Sequence, residues 1–295
     1  MLYNKPLFPE VADTTHATEK AAAFFHSFFT VKSQHDIGAT MEHFSQEKLT
    51  YIDAILGWLF DSHGVLKGVF EQYMPQWPDT ALSYATRIIG DENSALVAFT
   101  DTPELFGAEI RILGAIDMKD GQIIRWVDYW DGRHFGAELA AQLRTPADDF
   151  PMDFKEATAK GNASAKITGV ANKLQAAITN NDAKAAAELF TYDAVYEDMT
   201  LRSQVLGNSA IERYLGRVLT EVPYGVGSTL SHVVGGDMGG GYEWKSSPAY
   251  SATVKHGVTA LELDEDGQIS RLTTVWDGSM ISDENVKALM VLSLE

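Results

Sequence analysis

Apolar residues along this chain change their spacing in a fixed order, first by threes and fours and then by twos. TEKAAAFFHSFF (18–29) carries Ala and Phe at helical spacing, and Asp36 is placed to cap a second short helix ending near Phe44. A strand follows, with Leu49, Tyr51 and Asp53 on one face by two-residue alternation. VLKGVFEQYM (65–74) is amphipathic and is stopped by Pro75. Next come ALSYATRII, SALVAFT, AEIRILGAIDM and QIIRWVDYW, with Asp120-Gly121 a hairpin turn between the last two. Helices come first and an antiparallel meander last, so the predicted class is α+β.

The same order recurs. AKITGVANKLQAAI, DAKAAAELF, AVYED, GNSAIERYLGRVL, STLSHVV, SATVKHGVTALEL and QISRLTTVW follow in turn, then a last helix near ENVKALMVL. DGQIIRWVDYWDG (120–132) and DGQISRLTTVWDG (266–278) are identical at 8 of 13 positions, 146 residues apart. That offset also aligns 34–44 with 180–190, and an offset of 145 aligns Tyr51-Ile52-Asp53 with Tyr196-Glu197-Asp198. Three collinear matches imply a duplicated domain, and the unit is too long for a solenoid repeat. The expected organisation is a first domain over 1–144, a linker over 145–164 and a second domain over 165–295. The linker stretch, TPADDFPMDFKEATAKGNAS, has two Pro, mixed charge and small residues. Asn162-Ala163-Ser164 inside it fits a glycosylation acceptor but reads as linker composition.

Composition narrows the function. With 295 residues, 45% hydrophobic and 22% charged, the chain can bury a sizeable core. Lys+Arg 23 against Asp+Glu 41 gives a net charge of -18, which repels nucleic acid and anionic lipid surfaces. No cysteine means no disulfide, thiolate nucleophile or Cys-ligated metal. The eight His are dispersed without a metal-binding i,i+4 pair, so neither metal nor cofactor is expected. The start MLYNKPLFPEVADTTH has no apolar run of signal-peptide length, and no stretch is apolar enough to span a membrane. The expectation is a soluble cytoplasmic protein.

Candidate chemistry concentrates on the last strand of the first copy. Alternation puts Ile124, Trp126, Asp128 and Trp130 on one face, so an Asp is flanked by two tryptophans. If that face lines the interior, desolvation raises the Asp128 pKa and makes it a proton acceptor near neutral pH; if it faces outward, Asp128 is solvated. Tyr51 and Asp53 share a face of the first strand. They read either as a hydrogen-bond donor with a second acid or base, or as a core aromatic with a cap.

This succession, with a strand ending in Tyr-x-Asp and a meander ending in DGQI…WxDYWD, resembles the nuclear transport factor two-like superfamily. That group includes SnoaL-like polyketide cyclases, ketosteroid isomerases and limonene epoxide hydrolases. The resemblance covers about 120 residues of each copy. It implies curved sheets wrapped by about three helices into cones, each with an interior pocket for an apolar molecule, and pairing of open sheet faces in an intramolecular pseudo-dimer or a homodimer. Trp126 to Asp131 look like the epoxide hydrolase segment whose aspartate is catalytic, with Asp128 in that place and Tyr51 at the water-holding Tyr. Asp53 stands where that family has Asn. Phe99-Thr100-Asp101 keeps the Asp of an Arg-x-Asp and lacks the Arg, which argues against an intact Asp-Arg-Asp relay and against epoxide hydrolysis unless Arg111 on the adjacent strand takes its place. Asp53 and Asp198 fall where ketosteroid isomerase-like sequences carry a general base. Asp131, with Asp277 as its repeat partner, falls at the SnoaL-like catalytic aspartate, although Trp-Asp-Gly recurs in both copies at a strand end and reads as a structural turn.

The copies differ where the chemistry is expected. The second keeps Tyr196 and Asp198 but has Leu272 and Thr274 in place of Trp126 and Asp128. Activity is therefore expected in the first copy. The second is then structural, binds ligand, or uses Asp198 with other partners such as His256. GGDMGGG (235–241) reads as a mobile hairpin turn near a pocket mouth. The expected function is metal-free acid/base chemistry on an apolar, oxygen-bearing small molecule, as isomerase, hydrolase or cyclase. Asp128, Asp53 and Tyr51 would be catalytic; Trp126, Trp130, Asp101, Tyr196 and Asp198 would line binding surfaces. A non-catalytic binding or assembly protein is the alternative.

Overall fold

A computed structural model describes residues 12–294; the reading of the first eleven residues lies outside them. The fold is α+β, with two separate sheets and helices on each. The first unit runs β1 (Asp13–Ala17), α1 (Glu19–Ser33), α2 (Ile37–Glu42), β2 (Thr50–Asp53), β3 (Trp58–Phe60), α3 (His63–Tyr73), β4 (Ser83–Gly90), β5 (Ser94–Asp101), α4 (Pro103–Phe106), β6 (Ile110–Lys119), β7 (Gln122–Trp130) and α5 (Ala137–Leu143). Its sheet has the order β1-β4-β5-β6-β7-β2-β3, parallel at β1/β4 and β2/β7 and antiparallel elsewhere. The second unit runs α6 (Ala165–Thr179), α7 (Ala183–Ala187), β8 (Phe190–Asp198), β9 (Ser203–Leu206), α8 (Asn208–Val218), β10 (Thr229–Gly236), β11 (Gly239–Lys245), β12 (His256–Leu263), β13 (Ile269–Trp276) and α9 (Asp283–Val291). Its sheet order is β10-β11-β12-β13-β8-β9.

Repeated local signals build repeated elements. Thr18 caps α1 by accepting from Ala21 N at 3.2 Å, and Asp36 caps α2 by accepting from Ala39 N at 2.9 Å. Their repeat partners, Ser164 and Asp182, cap α6 and α7 through Ile167 N and Ala185 N. Asp120 and Gly121 both take positive φ, 52° and 77°, which closes a two-residue turn between Lys119 and Gln122. The edge strand β1 is short and largely exposed, and its DTTHA carries no apolar alternation that would reveal it in sequence.

One face of each sheet packs on its own helices. The other faces pack on each other: Ile89, Leu96, Leu113 and Val127 share a core with Val234, Val258, Ala260 and Val275. GGDMGGG does hold a hairpin turn, Asp237–Met238 between Gly236 and Gly239. Its glycines are the ends of β10 and β11, lying on the first sheet and not at the mouth of a pocket. A Cβ on Gly241 would lie 2.3 Å from the Thr259 carbonyl oxygen of its own sheet and 2.6 Å from Leu96 Cδ1 of the facing one, so the strand backbone itself requires glycine here and its absent side chain leaves room for Leu96.

A charged cluster crosses this seam. Arg125 Nη1 lies 2.7 Å from Glu243 Oε2, and its Nη2 donates to Glu243 Oε1 at 2.9 Å; both side chains are fully buried. The Tyr129 hydroxyl donates to the same Oε1 at 2.6 Å, and His232 Nε2 meets Asp117 Oδ2 at 2.8 Å. The 145–164 stretch is docked here. The Phe154 carbonyl accepts from Arg125 Nε at 2.8 Å, its ring centroid lies 4.5 Å from that of His256, and Phe150 lies against Gly57.

Candidate active site

Parallel pairing of β2 with β7 puts Tyr51 beside Trp126 and Asp53 beside Asp128, and β6 sets Gly114 opposite Asp128. The register delivers the Tyr51 hydroxyl to Asp128 Oδ2, to which it donates. The Trp126 indole N–H donates to Asp128 Oδ1 at 2.5 Å. Asp128 is thus inward, 7% exposed, and clamped on both oxygens. Beside it, Asp53 Oδ1 accepts from the N–H groups of Ile55 and Leu56, and Asp53 Oδ2 accepts from Trp130 Nε1 at 3.0 Å. Tyr51 and Asp53 are half-buried, so the site reaches solvent along their edge.

Burial sets the electrostatics. It pushes the Asp128 carboxyl up to about 7, against the opposing hydrogen bonds from Tyr51 and Trp126; Asp53 pushes it further up and Lys32 pulls it down. Burial likewise raises Asp53 to about 6, with the Leu56 N–H and Trp130 holding it back. Burial and the neighbouring Asp128 keep the Tyr51 hydroxyl protonated far above neutral pH, so it is a donor. Two carboxyl groups with near-neutral titration beside a fixed phenol can take up and return a proton.

Lys32 is a site residue that pattern reading missed. It lies buried with its Nζ 3.5 Å from Asp101 Oδ1 and 5.4 Å from the Phe99 ring centroid. The signal was a lysine continuing the apolar stripe of Phe25, Phe28 and Phe29 on α1. Arg111 is not the missing cation: it is exposed and paired with Glu109 at 2.8 Å. Asp101 is brought near the site, whereas Trp126 is a packed wall, 1% exposed. Rings of Phe25, Phe28, Phe29, Phe44, Tyr51 and Phe99 surround it at 5.0–6.4 Å. The apolar chamber expected there is filled at that level by the paired phenylalanines of α1. A recess of about 670 Å³ lies elsewhere, on the seam between the sheets.

The second unit keeps half of this arrangement. Asp198 accepts from Leu201 N at 2.9 Å and Trp276 Nε1 at 3.3 Å, matching Asp53 with Leu56 and Trp130. Tyr224, not His256, completes it, donating at 2.9 Å; His256 packs on Phe150 and Phe154. Burial raises Asp198 to about 6. Tyr196 is buried against Tyr214. In the place of Asp128, Thr274 bonds Thr259, so the Tyr51–Asp128 contact has no counterpart between Tyr196 and position 274 of the second unit. Asp131 and Asp277 cap the turns after β7 and β13, and Asp277 also accepts from Gly132 N across the seam.

Among the described residues no group of three or more His, Cys, Asp or Glu could hold a metal ion, and no helix is long and apolar enough to cross a membrane. No family model matches the sequence, and no curated protein matches it. Solved structures do match, and each spans about the extent of one unit. A steroid delta-isomerase from Pseudomonas aeruginosa is 15% identical, with 44% of this chain and 90% of that one covered and a TM-score of 0.35. A SnoaL-like protein of unknown function from Burkholderia thailandensis is 9% identical, with 39% and 98% covered and a TM-score of 0.34. An LEH-like epoxide hydrolase from M. tuberculosis is 18% identical, with 40% and 86% covered and a TM-score of 0.33. They are of the same NTF2-like, SnoaL-like, isomerase and epoxide hydrolase kinds that the sequence resembles.

Proposed function

We propose that the first unit carries out metal-free proton transfer on an apolar, oxygen-bearing small molecule, with Asp128 as general base. The observation that carries this is the Tyr51–Asp128–Trp126 clamp, which fixes a buried carboxyl near neutral pKa and is absent from the second unit. In this reading the Tyr51 oxygen, its own proton directed at Asp128, orients a water or a substrate hydroxyl by accepting from it, and Asp53 receives or returns the second proton. Trp130 fixes Asp53, and Lys32 with Asp101 balances charge behind the site. Asp198 and Tyr196, which lack an acid partner in the Asp128 position, hold the second unit's core or a ligand without turnover. Activity of this kind makes the protein an isomerase, hydrolase or cyclase.

The test offers the purified chain a Δ5-3-ketosteroid and a cyclic terpene epoxide, the substrate kinds suggested by the isomerase and epoxide hydrolase neighbours, and seeks co-purifying compounds by native mass spectrometry. Turnover is expected to fall by about 10²–10⁴ in Asp128→Asn with the fold intact. Equal turnover in parent and variant removes Asp128 from the chemistry. A bound compound that the parent never converts favours the binding-protein alternative, which the ring-filled interior also fits.

A further inference from the structure

The seam has two sides built from repeat-related residues, and they are unlike. Two ion pairs cross it from positions 145 apart in sequence: His232–Asp117 at 2.8 Å and Arg87–Glu262 at 3.1 Å. Around the first, Glu243 lies on Arg125 and Tyr129, while Phe150 and Phe154 fill the space over Gly57 and His256. Around the second, Ala98 stands in place of Glu243, Val275 in place of Tyr129, Arg202 in place of Gly57 and Arg111 in place of His256. The chain connects its two halves once, so Phe150 and Phe154 serve one side only. The other side is the recess of about 670 Å³, whose wall includes Arg87, Ala98, Arg111, Arg202 and Val275.

We infer that this open side binds a small organic anion, its oxyanion among Arg87, Arg111 and Arg202 and its apolar body against Ala98, Leu113 and Val275. The closed side shows what the geometry accepts, a carboxylate on a guanidinium beside aromatic rings. The volume is that of a small-molecule site. Arg202 holds a left-handed conformation, φ 52°, at the turn where the first unit has Gly57 at φ 72°. A side chain there costs more than glycine would, so the arginine replaces a residue better suited to the turn. The four acids on the wall have partners: Asp131 pairs with Arg133 at 2.6 Å, Glu197 with Arg271 at 3.4 Å, Glu109 with Arg111, and Asp198 accepts from Tyr224 and Trp276. Arg202 has no acidic partner among the described residues, and His134 Nδ1 is buried there without a hydrogen bond. Burial lowers the His134 pKa; Asp131 opposes this, while Arg202, Arg111 and Arg133 lower it further, a sign of crowded positive charge.

Calorimetric titration of the full chain with benzoate, and separately with inorganic phosphate, tests the site. Saturable benzoate binding is expected, weakened about tenfold or more in Arg202→Gly and in Arg111→Gln. Arg202→Gly should melt no lower than the parent, because glycine suits the positive φ. Binding of phosphate alone, of neither probe, or of benzoate equally by parent and Arg202→Gly overturns the inference. Phe8 stands 146 residues before Phe154, at the offset of the duplication. Benzoate binding that appears only in Phe8→Ala therefore assigns the recess to the chain's own start and also overturns it.

Discussion

Asp128 has both oxygens occupied by donors, yet burial still leaves its carboxyl near neutrality. This has a stability consequence whose sign is fixed. The folded chain keeps the proton up to about pH 7, whereas the unfolded chain gives it up near 3.8. Folding therefore takes up a proton between these values, and the stability that comes with it is lost as pH rises through 7. Asp128→Asn carries no such burden. Its melting temperature relative to the parent should rise between pH 4 and pH 7 and level off above, by at most a few kcal/mol in stability. Calorimetric melts across that range check this, and a pH-independent difference contradicts it.

Gly114 is a second residue-scale test. A Cβ there would lie 3.0 Å from Trp126 Nε1 and 3.4 Å from Asp128 Oδ1, and the rings around Trp126 leave the indole little room to retreat. Gly114→Ala should cost about 1–3 kcal/mol of stability by overpacking. If the clamp is catalytic, it should also lower turnover about tenfold by displacing the Trp126 hydrogen bond. Denaturant midpoints and kcat measured together separate the two effects.

At the scale of elements, what was legible in sequence had local causes. Asp36 and Asp182 as caps and Asp120-Gly121 as a turn act over a few residues, and period-two alternation placed Asp128 between Trp126 and Trp130. What escaped depends on contacts distant in sequence. Lys32 counts as polar until Asp101, 69 residues on, receives it. The glycines of 235–241 read as a turn alone until the close strand pairing and, at Gly236, Gly239 and Gly241, Asp91, Ile89 and Leu96 of the first unit explain their missing side chains. His256 looked available to Asp198, but strand order sends it to the seam and gives Asp198 to Tyr224. The repeat itself limited the inference about the site, because Asp53 and Asp198 are held alike while only one faces an acid.

For the whole molecule, the seam couples the halves through buried charge. Burial pushes the Glu243 carboxyl up, but Arg125 more than offsets this and holds it below its ordinary value. Arg125→Met should cost about 3–5 kcal/mol, because Glu243 and Asp117 would lose their cation in a dry interface. Adding Glu243→Gln should return part of that loss. Urea midpoints for the two single variants and the double variant give the coupling directly, and strict additivity would mean that the pair is not a unit.

The single connector between the halves has a consequence for how such a fusion ages. Two identical bodies meeting face to face begin with two equivalent rims, but a head-to-tail tether can stopper only one, as Phe150 and Phe154 do here. Among the described residues nothing stoppers the second rim, which is free to acquire its own charges without disturbing the other. Division of labour between the rims thus arrives with the joining event, before any substitution distinguishes one half from the other.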